Sequence, residues 1–117
     1  MQFNEVTSYS SPHVEGYGDG FFRVAGEVVQ GPMLLLPSGA TAWGGTDDLE
    51  LILAAADDID VLFLGTGPEI AYAPAPLRAA LEDAGIGVEV MATPTACRTF
   101  NVLLGEGRRI GLAVLPV

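Results

Sequence analysis

The stretch Asp60-Val61-Leu62-Phe63-Leu64-Gly65-Thr66-Gly67 is a short, unbroken apolar run that leads into a glycine-threonine-glycine turn. A strand with one wet face alternates apolar and polar residues. A continuous run such as Val61 to Leu64 is expected where both faces of a parallel sheet are covered. The flanking sequence supplies the covers. Upstream, Thr46-Asp47-Asp48 reads as a helix start, with acids near the positive end of the helix dipole. Leu49, Ile52, Leu53 and Ala56 then recur at i, i+3, i+4 and i+7, which makes one buried helical face. Downstream, a second helix runs from about Pro76, with Leu77, Ala80, Leu81 and Ala84 inward and Gly85 as its stop. Gly87 to Met91 is the next strand, a third helix covers about Pro94 to Leu104, and Arg109 to Val114 closes the sheet.

The part before Thr46 is rich in glycine and β-formers. Gly16 to Gly20 reads as a loop, Phe21 to Ala25 as a strand, Gly26-Glu27 as a turn and Val28 to Gln30 as its continuation. Met33 to Leu36 is a further strand before Pro37-Ser38-Gly39, and together these segments predict an antiparallel β-meander. A meander followed by αβαβαβ implies an α/β fold with a mixed sheet, its later strands parallel and about three helices packed on it by right-handed crossovers. Three layers are expected, one side being partly covered by the meander. No repeat, low-complexity tract or linker divides the chain, so residues 1–117 read as a single domain.

Half of the residues are hydrophobic and 17% are charged, which argues against disorder. No apolar run approaches the roughly 18 to 20 residues that span a bilayer. Met1-Gln2-Phe3-Asn4-Glu5 has neither a signal-peptide nor a transit-peptide pattern, so a cytoplasmic location is expected, with no membrane insertion. Fifteen acidic residues face five arginines and no lysine, giving a net charge of −10. That charge repels phosphate backbones, so nucleic acid is not an expected partner, and it favours basic ones. The absence of lysine removes Schiff-base and Walker-type chemistry. One cysteine and one histidine give neither a disulfide nor a usual zinc site, and no cofactor or metal is implied.

Two segments carry candidate binding residues. Gly65, Thr66 and Gly67 leave a strand where parallel α/β sheets collect ligands, and glycines there let a backbone approach closely. The dinucleotide fingerprint fails, because Ile70 stands in place of the third glycine and Pro68 removes a donor. A tight turn that needs glycine accounts for the pattern equally well. In the third helix, Ala96, Cys97, Phe100, Leu103 and Leu104 share one apolar stripe, while Thr95, Arg98 and Thr99 lie opposite with Asn101 beside Arg98. This polar set suits a carboxylate, a phosphate or a peptide backbone. The plainer reading pairs Arg98 with an acid and bonds the threonines to helix carbonyls.

No catalytic residue is assigned. Cys97 lies on the apolar stripe, where a lone cysteine behaves as a small hydrophobe, and His13 has no visible tie to it. Asp57, Asp58 and Asp60 read as a solvated acidic loop rather than a cation site. Burial is the expected state of Trp43; an exposed Trp43 or Leu34 edge would favour a homodimer over a monomer.

Four ordered segments together resemble a known family. They are Gly20-Phe21-Phe22-Arg23-Val24 with Gly26; Val61 to Gly67; Gly85 to Met91; and Thr95-Ala96-Cys97-Arg98-Thr99-Phe100-Asn101-Val102-Leu103 with Glu106, Arg108 and the closing strand. The family is a small α/β domain found in bacteria and archaea, in mitochondrial NADH:ubiquinone oxidoreductase (complex I) assembly factors, and in adipogenesis-associated proteins of animals. The resemblance implies a three-layer domain with no established enzymatic activity, and its mitochondrial members act through protein contacts. Members usually carry Tyr where this chain has Phe100, so a role requiring that hydroxyl is not open to it. Two readings follow. One is a non-enzymatic interaction or assembly domain that recognises a protein through a corner formed by Gly65-Thr66-Gly67 and the Thr95–Asn101 helix start. The other is a domain, even an enzyme, that binds a small anionic ligand at the same corner.

Overall fold

The computed structural model describes residues 11–117; the Met1 to Glu5 stretch read for targeting signals lies outside them. Strands β1 (Val14–Gly18), β2 (Phe21–Val24) and β3 (Glu27–Gln30) form an antiparallel three-stranded sheet. Strands β4 (Met33–Leu36) and β5 (Gly39–Ala42), then helix α1 (Glu50–Ala54), strand β6 (Val61–Thr66), helix α2 (Ala75–Asp83), strand β7 (Gly87–Met91), helix α3 (Thr93–Gly105) and strand β8 (Ile110–Leu115) complete the chain. The second sheet has five strands in the order β5-β4-β8-β6-β7, with β6 parallel to both β7 and β8 and β4 antiparallel to β8. The expected three-layer α/β fold with a mixed sheet is therefore present.

Handedness fixes the layers. The chain steps outward from β6 through α2 to β7, then back across β6 through α3 to β8. Right-handed crossovers in opposite directions put their helices on opposite faces. Strand alternation follows suit. Phe63, Leu112, Val114, Met33 and Leu35 pack with Phe100, Cys97 and Ala96 of α3 and with Phe22 and Val24 of the meander. Leu62, Leu64, Ala113, Leu34 and Leu36 pack with Ile52, Leu77, Leu81 and Trp43 on the other side. Every residue of the Leu62–Leu64 run is buried, as two covered faces require.

Several details differ from the sequence expectation: Gly16 to Gly18, read as part of a loop, belong to β1, and Gly39–Ala42 forms a strand the sequence reading did not include. Met33–Leu36 does not continue the meander; it crosses into the five-stranded sheet between β5 and β8 and is buried throughout. Helix α1 begins at Glu50 rather than at Thr46. Asp48 is held outside it, because its carboxylate accepts the Gly44 N–H at 3.0 Å and its carbonyl accepts the Trp43 indole N–H at 2.8 Å. Those bonds turn the chain before the helix and leave Leu53 exposed, while Ile52, Ala55 and Ile59 take the core positions. Ala84, expected inward, is exposed just beyond the end of α2. Trp43 and Leu34 are both buried, which removes the argument for a dimer drawn from them.

The acidic loop is also fastened. The Arg109 guanidinium donates to the Asp57 carbonyl and to the Asp60 carboxylate, both at 3.1 Å, tying the entry of β6 to the entry of β8. Arg109 holds the exposed Asp60 carboxyl below its ordinary value, mainly through the hydrogen bond.

Candidate functional site

The carboxyl ends of β6 and β8 meet the start of α3 at one corner of the domain, and Thr93 joins them. Its side chain is fully buried. Its Oγ1 donates to the Leu115 carbonyl at 2.6 Å and accepts the Gly67 N–H at 2.8 Å, while its own N–H donates to the Gly67 carbonyl at 2.8 Å. Gly65 lies directly beneath: a Cβ there would come within 2.9 Å of the Thr93 Cα and 2.7 Å of the Val114 Cγ1. The first glycine of the turn is thus a close-approach residue that lets α3 sit against the sheet. The sequence reading missed Thr93 because it began the helix at Pro94. The Thr-Pro pair at a helix start was the available signal.

The polar groups of the turn are engaged within the turn and with α3 and β7. Thr66 Oγ1 donates to the Glu69 carbonyl at 2.8 Å and accepts the Ala71 N–H at 3.0 Å. Gly67 is buried, and its N–H and carbonyl are both committed to Thr93. The start of α3 is similarly committed. Thr93 N–H goes to Gly67, Pro94 has no N–H, and Ala96 N–H goes to the Ala92 carbonyl, so Thr95 alone retains a first-turn amide. The corner ties the turn to Thr93 at the start of α3 and offers few backbone donors to an anion.

The remaining candidates divide. Asn101 is half-buried and faces strand β1, where its Oδ1 accepts the Val14 N–H at 3.0 Å and its Nδ2 donates to the Val14 carbonyl at 2.8 Å. Its amide stands in for a neighbouring strand at the start of the meander. Thr99 is also half-buried. Thr95 and Arg98 are exposed, and no ion pair engages Arg98 among the described residues, although acids outnumber arginines three to one.

Arg98 lines a groove of about 310 Å³ between α3 and β1, which it shares with Glu15, Tyr17, Pro94, Cys97, Asn101 and Val102. Tyr17 is 41% exposed and Val102 is 56% exposed. Neither was singled out from the sequence. Val102 was legible as an apolar residue off the buried stripe, whereas Tyr17 had been read into a loop. Glu15 is engaged with the Gly26 N–H at 3.0 Å. Cys97 is buried, and burial pushes its thiol up to about 12. It is therefore a protonated apolar side chain at neutral pH.

No group of three or more metal-ligating side chains occurs among the described residues, and none of their helices is long and apolar enough to cross a membrane.

A family model described as a protein of unknown function (DUF498/DUF598) matches residues 14–115. The chain is 46% identical over 104 residues to an uncharacterised protein of Rhodobacter capsulatus, covering 89% of this chain and 84% of that one. It is 32% identical over 111 residues to human NADH dehydrogenase (ubiquinone) 1 alpha subcomplex assembly factor 3, covering 89% of this chain but only 60% of the human protein. Among solved structures, an outer membrane protein from Bartonella henselae is similar with a TM-score of 0.83 and 33% identity, over 92% of this chain and 98% of that one. A Rhodopseudomonas palustris protein is similar with a TM-score of 0.75 and 35% identity, over 89% of this chain and 82% of that one.

Proposed function

Because the chain belongs to the DUF498/DUF598 family of proteins of unknown function, several relatives of which are named as assembly factors, we propose that it is a non-enzymatic, assembly-factor-like interaction domain. Its recognition surface is the α3–β1 groove, with Arg98 as the outward polar contact and Asn101 beside it; Gly65, Thr66, Gly67, Thr95 and Thr99 do not line that groove. The observation that carries this reading is the grouping of an exposed Arg98, free of ion pairs among the described residues, with exposed Tyr17 and Val102 around one groove. An aromatic ring and an arginine are the side chains that most often anchor a protein interface, and apolar neighbours exclude water around them.

Affinity capture with the tagged protein, quantified by mass spectrometry, tests it. A specific partner held by the wild type should drop about tenfold or more with Arg98→Ala or Tyr17→Ala. Capture unchanged in both variants rejects the groove. A second reading, binding of a small carboxylate or phosphate at the same groove, draws on Arg98 alone. A thermal-shift panel of such anions separates the two, since a bound ligand stabilises the fold by mass action.

A further inference from the structure

A second surface lies on the other face of the sheet. Strand β7 is outermost and, among the described residues, pairs only with β6. Its Gly87 N–H donates inward to the Asp60 carbonyl, and the Met91 carbonyl faces Thr66 Oγ1, so the intervening Val88 and Val90 direct their backbone groups outward. The Arg78 guanidinium reaches the Val88 carbonyl at 3.4 Å and Glu82 at 3.1 Å. Val90 is left as the open rung. Beside it, Ile70, Ala71, Tyr72, Ala73, Arg78 and Val90 line a cavity of about 420 Å³. Tyr72 is 99% exposed and Ile70 67% exposed, an unusual display of apolar surface next to an unpaired strand edge.

Charge decides what fits this edge. Two copies joined antiparallel through the open Val90 rung would set Glu89 of one copy against Met91 of the other, and each copy carries a net charge of −10, so a second copy is repelled by charge and offers Glu89 no partner. A basic strand meets the opposite situation. Val90 packs toward the α2 side, so Glu89, its neighbour in the strand, points to the opposite face and is exposed there.

We propose that β7 is a strand-addition site for an extended segment of another protein in which apolar and basic residues alternate. The segment pairs with the Val90 backbone, lays an apolar side chain against Ile70, Tyr72 and Val90, and sets its next, basic side chain opposite Glu89. Main-chain bonds hold it, the cavity and Glu89 select it, and the charge of the whole domain draws it in. This surface does not depend on the α3–β1 groove.

The probe is a dye-labelled peptide alternating valine and lysine over about eight residues, read by fluorescence anisotropy and by amide chemical shifts. Binding should weaken as salt is raised and should shift the amides of residues 70–73 and 88–91. Val90→Pro should weaken it by about tenfold or more, because proline at an outward-facing edge position removes the donor and keeps the strand. Glu89→Lys should transfer the preference to a valine–glutamate peptide. If Val90→Pro does not fold, N-methylation of the peptide amides that face β7 must abolish binding to the wild type. Absence of binding, equal binding of the valine–glutamate peptide by the wild type, insensitivity to Val90→Pro or N-methylation, or shifts confined to the α3–β1 groove each overturn the proposal. So does a dimer paired through β7. Arg98→Ala must bind the peptide as the wild type does, which separates this site from the groove.

Discussion

Thr93 concentrates at one side chain what holds the corner together. It is fully buried, and replacing its hydroxyl strands two partners, the Gly67 N–H and the Leu115 carbonyl. Each unsatisfied buried group costs about 1–3 kcal/mol. Thr93→Val, nearly the same in shape, should therefore lower stability by about 2–4 kcal/mol in a denaturant titration, whereas a loss below about 0.5 kcal/mol would mean that the corner relaxes around the change. Cys97 makes a different prediction. Burial raises its thiol from about 9.0 to about 12, so in the pH window between these values the unfolded chain ionises while the folded one does not. This contribution to stability is complete below pH 9.0 and is lost as pH rises toward 12. Cys97→Ala should flatten that alkaline slope, and native wild type should react slowly with iodoacetamide at neutral pH. The burial of Cys97 was legible from its place on the apolar stripe. The pairing of Asn101 with Val14 was not, because the two lie 87 positions apart and nothing local announces the contact.

At the scale of elements, periodicity located α2, α3, β6, β7 and β8 because their apolar spacing and their stops are local. It found α1 but misplaced its start, because the bonds Asp48 accepts from the Gly44 N–H and the Trp43 indole override a sound local start signal. The continuous apolar run Met33–Leu36 was found as a strand, yet its partners were not. Its neighbour β8 lies far along the chain, and register with a distant strand is written in the packing of both faces rather than in the strand itself. The β2–β3 hairpin is the locally strained element. Ala25 and Gly26 form its two-residue turn, and Ala25 adopts a φ of 52°. A positive φ at both central residues suits Asn-Gly far better than Ala-Gly. Ala25→Asn should therefore stabilise the domain by about 0.5–1 kcal/mol, visible as a higher melting temperature in calorimetry. An unchanged or lower melting temperature would show that the turn carries no such strain.

For the whole molecule, the five-stranded sheet is not built in chain order. Strand β8, the last of the described strands, sits in its middle and is bonded on one side to β4 and on the other to β6. Up to Arg109 the chain holds a β4–β5 pair and a β6–β7 pair with nothing between them, and Ile110, Leu112, Ala113 and Val114 are absent from both cores. A fragment of residues 1–109 should thus lack cooperative unfolding and bind a hydrophobic dye, and adding a synthetic 106–117 peptide should restore a melting transition. A cooperative melt of the fragment alone would contradict this. The same placement bears on how the protein is born. While a ribosome is still synthesising β8, the two halves emerge with their inner edges bare, and neither can close. Folding of this sheet is deferred until β8 itself has been made and has left the ribosome, so the apolar faces of both halves stay exposed until that moment.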